Sequence, residues 1–377
     1  MLLSRVSSKI GEDAAALSRT LSRWFPMPTL LMPPAAGIDI SDASVKWLTL
    51  ERAGTSMRIG TYGEVPIPEG VVVSGIIKDT KALSETLREV RKHLGHVHAA
   101  HAALPEEGAY VFSMVVPHAT PREQILRMVE FEFEGRIPIP PSAAVYDYSP
   151  IFARSGAEPE EVSVIVFPKD IAEAYVEAFN GAGITLLSLE VEARSIARAV
   201  STGAPDEPVT LVVDFGRART GFSVLKRGVP IFTSTVEVGG DAITRTLTEK
   251  MHMSPEEAAH FKNEQGLNAS KENAPAMEAI LGTASALADE VTRHYHYWDT
   301  RRNDKGERMT PVGKVVLVGG NANLAGLTDY IAGRVQASVE RGDPWRHVID
   351  FDEYIPPIER KIALQYATAI GLALRSL

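Results

Sequence analysis

Gly37-Ile38-Asp39-Ile40-Ser41-Asp42-Ala43-Ser44-Val45-Lys46-Trp47-Leu48-Thr49-Leu50 reads as strand, tight turn, strand. An acid, Asp39, stands at the end of the first strand, and Lys46 stands where the second begins. Ser41, Asp42, Ala43 and Ser44 fill the turn between them. Small and hydroxyl side chains there let several amide N–H groups converge on one anion, as phosphate-binding nests do. The chain then repeats the pattern as Val212-Val213-Asp214-Phe215-Gly216-Arg217-Ala218-Arg219-Thr220-Gly221-Phe222-Ser223-Val224-Leu225. Setting Asp214 on Asp39 puts Gly216 on Ser41, Ala218 on Ala43, Gly221 on Lys46 and Leu225 on Leu50. A third strand-like run follows each copy, over residues 57–67 and 229–238. Self-similarity on this scale implies two related halves. Two halves that each offer an acid and a phosphate turn point to a nucleotide held between them, with Mg²⁺ near both carboxylates.

The composition agrees with this reading and excludes others. A chain of 377 residues is too long for one small core and suits two lobes. A formal charge of −9 offers no electrostatic footprint for nucleic acid. The absence of cysteine excludes disulfides and thiolate metal sites. No stretch approaches the roughly 20 apolar residues of a membrane span, and no signal-peptide pattern stands out. A soluble, cytoplasmic protein is expected.

Residues 1–25 place Leu3, Ile10, Leu17 and Trp24 on one helical stripe flanked by Arg5, Lys9, Arg19 and Arg23. Such a stripe fits an anionic membrane surface or a partner helix, and more commonly packs on its own domain. Residues 26–36, with four prolines, read as a linker. His93, His96, His98 and His101 cluster after a helix over 80–94, and fit a polar edge better than a metal site for want of matching carboxylates. From residue 110 a strand, a glutamate-rich helix over 121–135 and two further strands make a small α+β unit. The Glu190-Val191-Glu192 segment stands at a strand end, where a carboxylate can order a water or simply favour the next helix's N-terminus. The aromatic run 294–298 reads as packing, because the chain around it is acidic. Gly319 and Gly320 close a buried strand, where a flat base could rest on bare backbone or the chain could merely turn tightly. A terminal helix over 361–374, rich in alanine with Gly371, suits a hinge between lobes.

These stretches in this order resemble the actin-like ATPase superfamily of actin, sugar kinases and the division protein FtsA, from Gly37 onward. Within it the wording is most similar to the PilM family of type IV pilus assembly proteins. The similarity is carried by Gly37-Ile38-Asp39-Ile40, by residues 131–140 (Phe-Glu-Phe-Glu-Gly-Arg-Ile-Pro-Ile-Pro) and by Gly181-Ala182-Gly183. It continues through Leu189-Glu190-Val191-Glu192-Ala193 with Arg198, residues 319–327 and residues 369–374. The resemblance implies an α/β actin-like fold of two duplicated ribonuclease-H-like lobes. They would span residues 37–205 and 206–377, with an inserted SHS2-like α+β subdomain at about 107–168 and an N-terminal extension over 1–36. It also implies an ATP site: Asp39 and Asp214 on Mg²⁺ through water, the turns Ser41 to Ser44 and Gly216 to Thr220 (with Arg217) on the phosphates, and Lys46 neutralising them. Glu192 would sit near the γ-phosphate as the candidate catalytic residue, Lys262 would touch the ribose, and Gly319, Gly320 and Asn321 would border the nucleoside. Ser41 replaces the usual turn glycine, at a cost of about 1–2 kcal/mol were its backbone left-handed. Ala259 stands where relatives often carry an acid to the ribose.

The implied partner is the N-terminal peptide of a PilN-like inner-membrane protein, docked between the first lobe and the inserted subdomain. Contacts with a pilus motor ATPase, self-association and peripheral attachment at the inner face of the cell membrane belong to the same picture. The expected function is an ATP-binding adaptor of the pilus assembly machine, at most a slow ATPase. The rivals are a small-molecule kinase of the superfamily and an FtsA-like filament-forming membrane adaptor.

Overall fold

The computed structural model describes residues 33–53, 56–151, 161–268, 270, 272–302, 306 and 308–376. The amphipathic stretch 1–25 and linker residues 26–32 lie outside the described residues. The linker expected through residue 36 stops short, because Ala35 and Ala36 are buried and already belong to the first strand.

Ala35–Ile40 (β1), Ser44–Ala53 (β2) and Ser56–Pro66 (β3) form an antiparallel meander. Helix Thr80–His93 (α1) starts at Asp79, whose carboxylate accepts the Ala82 amide at 2.9 Å, and leads to Ala99–Leu104 (β4). β4 lies parallel to β1 and is buried at every position, the mark of a strand covered on both faces. Tyr110–Val115 (β5), Arg122–Arg136 (α2), Ala144–Ile151 (β6) and Glu161–Pro168 (β7) make the expected α+β insertion. Its sheet runs β5-β7-β6, and its own core joins Phe112, Val129, Phe133, Val162 and Val164. Helix Lys169–Ala182 (α3), stopped by left-handed Gly183, returns the chain to Thr185–Val191 (β8) and helix Glu192–Val200 (α4).

The second lobe repeats the plan with Val209–Phe215 (β9), Thr220–Lys226 (β10) and Val229–Val236 (β11). Helices Gly240–Met251 (α5), Pro255–Glu264 (α6) and Ala274–Thr300 (α7) follow, then Val312–Val318 (β12), Leu327–Ala332 (α8) and Ser338–Arg341 (β13). The two five-stranded sheets run β3-β2-β1-β4-β8 and β11-β10-β9-β12-β13, one strand succession used twice. Asp39 pairs with Lys46 across β1/β2 and Asp214 with Gly221 across β9/β10, the correspondence expected from the sequence repeat. Ser254 and Glu257 form a reciprocal capping box at α6.

Two features depart from the sequence reading. The insertion leans on both lobes: Ser163 donates to the Pro230 carbonyl and Lys226 pairs with Glu161, so β11 is covered by the insert's sheet. The terminal segment is not one helix but Arg360–Ala363 (α9), a 3₁₀ turn over Leu364–Tyr366, and Ala367–Ala373 (α10). The break has a tertiary cause. The Leu364 carbonyl accepts the Gly319 amide at 3.1 Å, so a long-range bond replaces an intrahelical one.

The small residues of α10 are used for close approach. A Cβ on Gly371 would stand 1.9 Å from the Ser195 carbonyl oxygen, and one on Gly37 2.0 Å from that of Ala369. Gly371→Ala should therefore force α10 off α4 and cost about 1–3 kcal/mol, read as a lower urea midpoint. An unchanged midpoint would show that the crossing is loose.

Candidate functional site

The residues singled out by sequence gather where parallel strands end. β1 ends beside Asp39, β8 runs into Glu192, β9 carries Asp214 and β12 ends at Gly319, so four strand ends from two sheets meet at the cleft. That is where open α/β sheets bind ligands, since side chains and turns there are free of the ladder. β4 adds two acids that the sequence reading did not count as site residues, Glu106 and Glu107. A signal existed: they follow, after Pro105, a largely apolar strand running parallel to the one that carries Asp39.

The carboxylates repel one another. Burial pushes Asp214 up to about 7, and Asp39 adds to the shift. Burial raises Asp39 too, with Lys46 opposing. Glu106 is pushed up to about 8 by burial and then by Asp214. Glu192 rises well above the ordinary carboxylate range through burial, then through Asp39, Glu107, Glu106 and Asp214. Acids so close together, short of positive charge, suit a cation that brings its own anion. Among the described residues no three His, Asp or Glu side chains could enclose a metal by themselves, so water and a ligand anion would complete the shell. The all-oxygen donor set fits a hard, hydrated ion. Gly319 (φ 84°) keeps the space open, since a Cβ there would stand 2.4 Å from Asp214 Oδ1.

The first turn closes on itself. The Ser41 amide and hydroxyl both donate to the Ser44 carbonyl, at 2.9 and 3.0 Å, and the Ser44 amide donates to the Ser41 hydroxyl at 3.2 Å. Ser41 is not among the positive-φ residues, so the strain expected from replacing glycine does not arise. Lys46 donates to Ser44 Oγ at 3.0 Å and pairs with Glu64 at 3.1 Å, a cross-strand partner that the sequence reading missed. Asp42 braces a neighbouring turn, its oxygens accepting the Ser74 and Gly75 amides at 3.0 and 2.9 Å.

In the second turn the Gly216 amide donates to the Asp214 and Arg219 carbonyls, each at 3.0 Å. Asn321 Nδ2 donates to the Gly216 carbonyl at 2.9 Å, and Gly240 lies so close to Asn321 that a Cβ would collide with it. Arg217 contacts Asp241 at 3.1 Å, while Lys262, its charge disfavoured by burial and favoured by Asp241, donates to Thr244 Oγ1 at 3.0 Å. Gly320 faces Gln365 instead of a side chain of this corner. Thr220 turns away: it is fully buried and its hydroxyl donates to the Val238 carbonyl at 2.5 Å. Arg219 crosses the cleft and pairs with both Asp42 and Glu107, tying the two lobes. A concavity of about 620 Å³ beside Met251, His260, Phe261 and Ala276 lies apart from these carboxylates.

The histidine cluster does not assemble. His93, His96 and His98 are exposed, whereas buried His101 bonds Ser188 and Ser376 at 2.7 Å each, and burial lowers it to about 4. The aromatic run does pack, with His294 stacked on Phe222 at 4.1 Å and Trp298 buried.

Residues 37–377 match the family described as type IV pilus assembly protein PilM. The chain belongs to that family. Among solved structures, the PilM-PilN type IV pilus biogenesis complex is similar with a TM-score of 0.74 and 21% identity, over 91% of this chain and 98% of that one. The ethanolamine utilization protein EutJ from Carboxydothermus hydrogenoformans follows at 0.51 and 18%, over 93% and 91%. MreB 5 of Spiroplasma citri, solved with AMPPNP bound, gives 0.52 and 12%, over 91% and 96%. Identities this low establish the fold, and the fold is actin-like. This PilM-family chain is accordingly a type IV pilus assembly protein of actin-like architecture. Among its described residues no helix is long and apolar enough to cross a membrane.

Proposed function

We propose that the cleft binds ATP with Mg²⁺ and that the protein is a cytoplasmic adaptor at the inner face of the membrane, passing its nucleotide state to a membrane partner. The observation that carries the reading is the pair of aspartates, Asp39 and Asp214, at one register position of two like sheets, where Asp39 adds to the raised proton affinity of Asp214. The nucleotide seen with MreB 5 supports it. In this reading Asp39 and Asp214 hold Mg²⁺ through water, Lys46 exchanges Glu64 for phosphate, and residues 41–44 and 216–219 offer their turns. Lys262, Gly319, Gly320 and Asn321 border the nucleoside. When bound, the divalent cation would offset the negative charge of the triphosphate and polarise its terminal phosphoryl group. Glu192 would orient water with no strongly activated base beside it, so turnover is expected to be slow.

For the adaptor role, residues 37–205 and 206–377 act as jaws and the insertion at about 107–168, touching both, reports their angle. Its exposed Phe131 and Val115, 83% and 75% accessible, offer apolar contacts to a PilN-like peptide, the kind of partner named in the similar complex. Calorimetry with Mg-ATP should show binding that Lys46→Ala weakens about tenfold, the worth of one charge-assisted phosphate contact, with little phosphate released. An intact protein that neither binds Mg-ATP nor gains thermal stability from it would sink the proposal.

A further inference from the structure

The two lobes differ at one matched position. Asp39 faces Lys46 across its strand pair, whereas Asp214 faces Gly221, so the second lobe has no side chain where the first has an ammonium. The space is used from across the interlobe boundary. A Cβ on Gly221 would stand 3.4 Å from Glu106 Oε2 and 3.8 Å from the Asp214 Cβ, which puts the Glu106 carboxyl beside Asp214. Glu106 is only 8% exposed; the Ala193 amide holds its carboxyl group, yet Oε1 has no hydrogen-bond partner. An unmet carboxylate oxygen in the interior is costly, and native folds keep one where something outside the chain satisfies it. The neighbouring cations are already engaged: Lys46 with Glu64 and Ser44, Arg219 with Asp42 and Glu107.

We propose that Glu106 is an outer ligand of the cleft's divalent cation, holding one of its waters through the free Oε1. The inference rests on the nucleotide reading above and gives the cleft a direction. Lys46 and the turns stay on the anion side, and Glu106 joins Asp39 and Asp214 on the cation side. Glu106 thereby extends the site beyond the two aspartates to a residue of the turn after β4.

The test uses the full chain and Mn²⁺ as probe, with free Mn²⁺ followed by electron paramagnetic resonance, alone and with ADP. Glu106→Gln keeps the volume and removes the charge, so Mn²⁺ affinity should fall about tenfold or more while ADP affinity in EDTA holds. Its thermal midpoint should not drop, because the repulsion with Asp214 is gone. Equal Mn²⁺ affinity in wild type and Glu106→Gln overturns the assignment, as does a wild type that takes up no Mn²⁺ with or without ADP. A wild type that binds Mn²⁺, loses it on Glu106→Gln and ignores ADP upholds the cation ligand and overturns the nucleotide reading.

Discussion

Asp214→Asn should make the ligand-free protein more stable at neutral pH while weakening Mg-ATP binding at least tenfold. The stability arm follows from the sign of the shift. In the folded chain Asp214 keeps its proton up to about 7, against the ordinary 3.8, because burial and Asp39 disfavour its charge. Between those pH values the folded state binds more protons than the unfolded one, so stability falls as pH rises and the full penalty is present above about pH 7. Asparagine titrates nowhere. The stability gap between variant and wild type should therefore be small near pH 4 and grow through pH 7. At about 1.4 kcal/mol per pH unit its ceiling is roughly 4 kcal/mol. About half of that is the realistic expectation, since Asp39, Glu106 and Glu192 share the same proton uptake and relax when one acid is removed. Thermal unfolding of both proteins at pH 5 and pH 8 measures the gap. A gap independent of pH would mean that Asp214 titrates in the folded chain as it does in the unfolded one. Asp39→Asn should behave alike, though less strongly, because Lys46 already offsets part of its charge.

The second large effect has the opposite pH dependence. Glu190 ends β8 with its side chain 6% exposed and accepts bonds from Ser195 Oγ at 2.8 Å and from Arg198 at 2.6 and 2.9 Å, with Arg375 pairing from the terminal 3₁₀ turn. Arg198 also donates to the Gly371 carbonyl at 2.6 Å, so one carboxylate fastens α4 and α10 together. Glu190→Ala would leave two arginines without their counter-charge in a partly dry site and should cost about 3–5 kcal/mol, read as the urea midpoint. Burial alone would raise the Glu190 pKa; its bonds to Arg198, with Arg375 and Ser195, outweigh that and leave it lowered. Its contribution is thus complete above the ordinary 4.5 and is lost as the pH falls below that value. Glu190→Gln, which retains the shape, should flatten the acid limb of the stability curve. A loss under 1 kcal/mol for Glu190→Ala would show that the arginines find water instead.

The neighbours Glu190 and Glu192 show where sequence reading reaches its limit. Both are acids at one strand end, and alternation along a strand puts them on the same face. Yet Glu192 opens a helix and turns to the cleft, while Glu190 is consumed by Arg198 and Arg375. Arg198 is the main partner of Glu190 and Arg375 joins it from the far end of the chain, so only the folded chain shows which of the two acids is taken. Glu106 escapes sequence reading for the same reason: its partner position, Gly221, belongs to the other lobe.

The sequence alone determined the duplicated strand-turn-strand plan, the register that sets Asp214 on Asp39 and the α+β insertion. These depend on periodicity and turn chemistry, which act over a few residues. Only the tertiary structure decided which acids share the cleft, that Arg219 spans it, that the insertion rests on both lobes and that the terminal helix breaks at Leu364. Each is a contact between residues far apart in the chain, and its energy comes from burial and charge at a meeting point that no local pattern encodes.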